Sequence, residues 1–164
     1  MIDVREVNDT EIEAVSHFLL STMGEVFPFP LSQRSLRDLE EMKERFLDRK
    51  DATFLAAFFE GKVVGTLAID RYDNRIKALR GRFDLDATCE VIKCYADRNK
   101  RRQGIGSLLF EKATEFSKRA GYQTMYLHTH KFLPGGFTFW RKKGFSIILD
   151  EGDPFETVHM EKGL

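Results

Sequence analysis

The alternation of apolar and polar positions divides the chain into short elements. Ile2 to Val7 alternates and predicts a strand. Asn8-Asp9-Thr10 then offers N-cap chemistry ahead of Ile12, Val15, Phe18, Leu19 and Met23, which share one helical face. Phe27-Pro28-Phe29-Pro30 ends that helix. A second helix is expected from Ser35, with Leu36, Leu39, Met42, Phe46 and Leu47 on its apolar side. Two β-rich runs, Thr53 to Phe59 and Val63 to Ile69, are joined through Glu60-Gly61-Lys62 and predict a hairpin. Residues 71–86 are charged and poorly periodic, as expected of an exposed loop. Val91 to Ala96 follows as a strand.

From Gly104 to Ala120 the positions Ile105, Leu108, Leu109, Ala113 and Phe116 form a helical stripe, and Gly121 stands where a C′ glycine would end it. Thr124 to Thr129 predicts a strand. Pro134 to Lys143 predicts a short helix, with Gly144 after its end. Phe145 to Leu149 and Thr157 to Met160 are two closing strands. The order β-α-α-β-β-β-α-β-α-β-β describes an α/β fold of α+β character with a mixed sheet. Nothing breaks residues 1–164 into more than one domain.

Composition narrows the field. An apolar fraction of 42% with fifteen phenylalanines suits a packed globule. Twenty-six basic and twenty-six acidic residues cancel, so the whole-protein basic field of a nucleic-acid binder is absent. No apolar run is long enough to span a membrane, and the first residues lack a signal-peptide core, so a cytoplasmic location is expected. Cys89 and Cys94 lie five apart, which on a regular strand points them to opposite faces. A disulfide between them is then not expected, and their spacing is not that of a zinc site.

The stretch Arg101-Arg102-Gln103-Gly104-Ile105-Gly106-Ser107 stands between a strand and a helix. Backbone N–H groups at a helix start, with the helix dipole behind them, favour an anion, and glycine lets it approach. Flanking arginines add charge-assisted bonds. The P-loop is excluded, because no Gly-Lys-Ser/Thr ending follows. The dinucleotide fingerprint is excluded too, because Leu109 occupies its third glycine.

This loop resembles the Q/R-x-x-G-x-G/A signature of the GCN5-related N-acetyltransferases, the GNAT superfamily. Glu90-Val91-Ile92-Lys93-Cys94-Tyr95-Ala96-Asp97 stands in the place of that family's preceding strand. Phe139-Trp140-Arg141-Lys142-Lys143-Gly144-Phe145 is similar to its F-Y-x-x-x-G-F element. The element order is also that of the family fold, while the N-terminal third matches in pattern only.

The resemblance implies acetyl-CoA as co-substrate and a primary amine, on a small molecule or a peptide, as acceptor. The strands around Cys94 and Leu127 would splay apart around the pantetheine arm. Backbone groups of Cys94, Tyr95 and Ala96 would pair with that arm, and one would polarise the thioester carbonyl. Residues Arg101 to Ser107, Gln103 and Ile105 included, would hold the diphosphate. Glu90 lies fourteen residues before Gly104, which is the spacing of the base glutamate in the histone-type branch. Regular alternation would set it on the strand face of Ile92 and Cys94. Partial desolvation is expected to raise its basicity.

One departure stands out. Trp140 occupies the place of the family's tyrosine acid, and an indole cannot protonate a thiolate near neutrality. Tyr126, His128 and His130 share one face of the preceding strand and are alternative donors. The His-x-His pair lacks a clear third ligand, so no metal is expected. Phe27, Phe29, Phe132, Phe137 and Trp140 are candidates for an aromatic wall of the acceptor pocket. The competing reading is a catalytically silent acyl-CoA-binding sensor or partner-binding module of the same fold. A homodimer is compatible with either.

Overall fold

The computed structural model describes residues 1–100 and 103–164. Seven strands form one mixed sheet in the order β1-β2-β3-β4-β5-β7-β6. The first strand is β1 (Ile2–Glu6), and α1 (Ile12–Val26) and α2 (Gln33–Glu40) follow it. Next come β2 (Thr53–Phe59), β3 (Lys62–Arg71) and β4 (Thr88–Ala96), then α3 (Ile105–Arg119). The chain closes with β5 (Thr124–His130), α4 (Gly136–Lys142), β6 (Ser146–Asp150) and β7 (Thr157–Gly163). This is the element order expected from the periodicity.

Strand β2 shows why the domain has three layers. Leu55 and Ala57 face the cluster built with Leu109, Phe110 and Ala113 of α3. Phe54, Ala56 and Phe58 face Val15, Leu19 and Met23 of α1 and Phe46. A continuous apolar run is thus buried on both sides, as a central strand requires. Its hairpin to β3 turns on Glu60 and Gly61, both with positive φ (51° and 78°), the conformation a tight two-residue turn demands.

Three local expectations are corrected. The second helix does not run unbroken to Leu47: α2 ends at Glu40. A wide turn over Lys43–Leu47, closed by Asp48 N–H on Lys43 O, then carries Phe46 into the core. The segment after β3 is not wholly exposed, because Tyr72 and Leu79 are buried and pack with Tyr126. Strand β4 begins at Thr88 and is not regular.

That irregularity matters most. Ala68 pairs with Ile92 and Thr66 with Tyr95, so β4 holds one residue more than β3 across the same interval. Lys93 absorbs the excess at φ 55°, and Thr66 Oγ1 donates to its carbonyl at 2.7 Å. Such a bulge reverses the alternation beyond it. Cys89 and Cys94 therefore pack against the same cluster, that of α3, rather than on opposite faces. Glu90 and Cys94, expected on one face, lie on different ones: Glu90 lines the cavity beneath α1 and α2, with Ile92 and Tyr95.

Candidate active site

Strands β4 and β5 are the sheet's one parallel pair among the described residues, and they stay together only from Thr88–Thr124 to Glu90–Tyr126. Beyond that point they part. Two clefts open at the divergence, and both are lined by Tyr95, Thr129 and Leu133.

The first cleft, about 590 Å³, runs from Cys94, Tyr95 and Ala96 to Gly104, Ile105, Gly106 and Ser107. Gly104 sits at φ 79° directly before α3, and no side chain caps the helix. Leu108 N–H bonds back to Gly104 O, so the N–H groups of Ile105, Gly106 and Ser107 precede the helical ladder. Three unladdered donors at the positive end of a fifteen-residue helix, facing a cleft, fit a diphosphate. Close approach to this helix start is made possible by Gly65 of β3. A Cβ there would come within 2.6 Å of Ile105 Cγ2. Gln103 lies at the mouth of the loop and is exposed. Arg101 and Arg102, expected beside the anion, lie outside the described residues.

Burial pushes the Cys94 thiol up to about 12, so it stands in the cleft as a neutral group rather than a nucleophile. Trp140 lines this cleft and not the second, where Phe27 and Phe29 stand. Helix α4 turns its ring inward, where it packs edge-on against Phe110 (5.6 Å) and Phe145 (5.4 Å). Phe137 likewise packs on the α3-side cluster.

The second cleft, about 550 Å³, contains Glu90, His128 and His130, with Phe27 and Phe29 among its walls. Glu90 is 2% exposed and accepts two hydrogen bonds of 2.7 Å from the Arg75 guanidinium, one on each oxygen. Desolvation opposes the Arg75 charge, but the Glu90 bonds outweigh it and raise the guanidinium above its ordinary value. His128 Nδ1 stands 3.8 Å from Glu90 Oε2. Its ring opens onto the cleft yet is walled by protein. Desolvation first, then the Arg75 charge, pulls it down to about 3, so it is neutral at ordinary pH.

His130 is a structural ring, its Nδ1 bonded to the Phe155 carbonyl at 2.8 Å. Tyr126, expected in the pocket, lines neither cleft. It is fully buried against Tyr72 and Phe83, and its hydroxyl is hydrogen-bonded with His159 Nδ1 at 2.6 Å. Lys93 reaches from the bulge to Asp38 Oδ2 at 3.2 Å, tying β4 to α2. Arg75, Lys93, Glu151 and His159 belong to this site although the sequence reading passed them over. Arg75 comes from the segment read as loop, and no periodicity marks it.

The acetyltransferase (GNAT) family model matches residues 17–145. The chain belongs to the GNAT family. This GNAT protein is similar along its whole length to a GNAT acetyltransferase from Staphylococcus aureus. The TM-score is 0.80 at 22% identity, covering 100% of this chain and 99% of that one. It is also similar to the PaiA N-acetyltransferase of Thermoplasma acidophilum in complex with coenzyme A (TM-score 0.71, 20% identity, 100% and 99% covered). An aminoglycoside 6′-N-acetyltransferase complexed with coenzyme A gives 0.71 at 16% identity, with 98% and 96% covered. No curated protein sequence matches the chain.

Proposed function

We propose that this GNAT protein transfers the acetyl group of acetyl-CoA to a primary amine by direct attack, with Glu90 as general base. The observation that carries this reading is the meeting of the two clefts at Tyr95, Thr129 and Leu133. One cleft ends at the uncapped start of α3, and the other holds a buried carboxylate. The PaiA and aminoglycoside enzymes, both solved with coenzyme A, support the same co-substrate here.

Acetyl-CoA as substrate supplies an activated thioester. The N–H groups of Ile105 to Ser107 bind its diphosphate, and the backbone of Cys94 to Ala96, free of a β5 partner, lies along its arm. Arg101 and Arg102 add positive charge to the same loop. The acceptor enters from the second cleft as an ammonium, and Glu90 takes one proton from it. The arginine fork uses one lone pair on each Glu90 oxygen, leaving a second lone pair on Oε2, the oxygen 3.8 Å from His128 Nδ1. The amine nitrogen then bonds to the acetyl carbon, the carbon–sulfur bond breaks, the thiolate leaves, and the nitrogen's second proton passes to it through water as the amide forms. A simple thiol titrates near ~8.5, so water suffices to protonate it and no dedicated acid is needed where Trp140 stands.

A catalytically silent acyl-CoA binder is the second reading, favoured by that indole in the place of a phenol. Thiol release from acetyl-CoA, measured over a panel of primary amines, separates the two. Transfer predicts turnover with at least one amine and a fall of about a hundred-fold or more in Glu90→Gln. Binding of acetyl-CoA with no turnover across the panel favours the silent module.

A further inference from the structure

The acceptor cleft carries four carboxylates, and three of them are matched by a basic side chain. Asp38 is paired with Arg45 and Lys93, Asp70 with Arg49, and Glu90 with Arg75. Glu151 differs. Among the described residues its partner is His159, whose Nε2 lies 2.8 Å from Glu151 Oε2. His159 is itself 2% exposed, and its Nδ1 lies 2.6 Å from the Tyr126 hydroxyl. A buried tyrosine–histidine pair thus holds a carboxylate of the cleft that, among the described residues, neither a lysine nor an arginine meets.

Part of the wall of this cleft is aromatic. Phe29 packs against Phe155 at 4.8 Å and against Phe27 at 5.3 Å, and all three line the cleft with Glu151. Ring faces and a carboxylate with no lysine or arginine partner among the described residues together attract an organic cation. Glu151 is also set apart from Glu90: the His128 ring lies beside Glu90, and the His159 ring is 6.0 Å further on.

From this arrangement we infer that the acceptor carries a second cationic nitrogen, as in an α,ω-diamine, which Glu151 and the aromatic wall hold while the first nitrogen is acetylated at Glu90. The inference rests on the acetyl-transfer reading above. One nitrogen loses a proton to Glu90 and receives the acetyl group, with coenzyme A leaving as the thiol. The second nitrogen stays protonated throughout. A terminal carboxylate or a neutral tail gains nothing at Glu151, so chemistry alone separates the classes.

The test compares diaminobutane and diaminohexane with butylamine and hexylamine, using the full chain with acetyl-CoA. The expected kcat/KM for at least one diamine exceeds that of its monoamine by ten-fold or more, and Glu151→Gln collapses the ratio to near one. Equal rates for the pairs, or a ratio that survives Glu151→Gln, would overturn the inference and leave acetyl transfer standing. Calorimetric titration of the same amines into the coenzyme A complex provides a readout independent of turnover. Diamine-selective binding that depends on Glu151, without acetylation, supports the cation site and counts against the transfer reading. No selectivity in binding overturns the site.

Discussion

Arg75 and Glu90, fifteen residues apart in the chain, meet through two parallel hydrogen bonds of 2.7 Å in the second cleft. Removing one partner of a buried pair strands the other's charge. Arg75→Met is therefore expected to destabilise the fold by about 3 kcal/mol in urea denaturation. Adding Glu90→Gln to it should recover much of the loss, because no unpaired charge then remains. Additive losses in the double variant would show that the two groups act independently.

His128 gives the protein an acid limb. Its folded pKa is depressed, to about 3 from 6.5, so the unfolded chain binds the extra proton across that interval. Stability contributed by the neutral ring is complete above about pH 6.5 and declines as pH falls toward about 3. His128→Asn removes this term, so its stability should vary less with pH through the window, as denaturation midpoints taken across it would show. An unchanged acid limb would place the proton uptake elsewhere.

The limits of the sequence are visible at this site. Strand and helix order followed from periodicity because β2 and α3 bury whole faces. The turn at Gly104 was legible because a positive φ before an uncapped helix needs glycine. The bulge at Lys93 was not, since a lysine at φ 55° carries no local signature. From Lys93 onward every side chain of β4 changes face, which is why Cys94 was assigned to the wrong one. Arg75 and Glu151 escaped for another reason: each stands in the connection that leads into the strand carrying its partner, Glu90 or His159, where no periodicity marks a residue.

Gly65 tests the support beneath the α3 start. A methyl group there would meet Ile105 Cγ2 at 2.6 Å and the Tyr95 carbonyl at 3.3 Å. Gly65→Ala should cost about 1–3 kcal/mol through overpacking. It should also weaken acetyl-CoA binding, because the displaced helix start carries the donors. Thermal melting and a ligand titration on the same sample check both effects. Normal affinity in a destabilised variant would separate packing from the cradle.

Cys94 lines the first cleft yet is held neutral, its thiol raised to about 12 by burial. It should resist iodoacetamide at neutral pH, and Cys94→Ala should keep turnover within a few-fold of the parent. Rapid alkylation with loss of activity would contradict that placement.

Titration of acetyl-CoA into the purified protein by calorimetry, repeated with Gly104→Glu, bears most directly on the co-substrate cleft. Added atoms at Gly104 meet open space, and the positive φ costs about 1–2 kcal/mol, so the variant is expected to fold. Its carboxylate would stand where the diphosphate belongs. Micromolar binding to the parent and its loss in the variant, with unchanged circular dichroism, is the expected result. A well-folded parent that does not bind acetyl-CoA would contradict it and leave the start of α3 as a helix end alone.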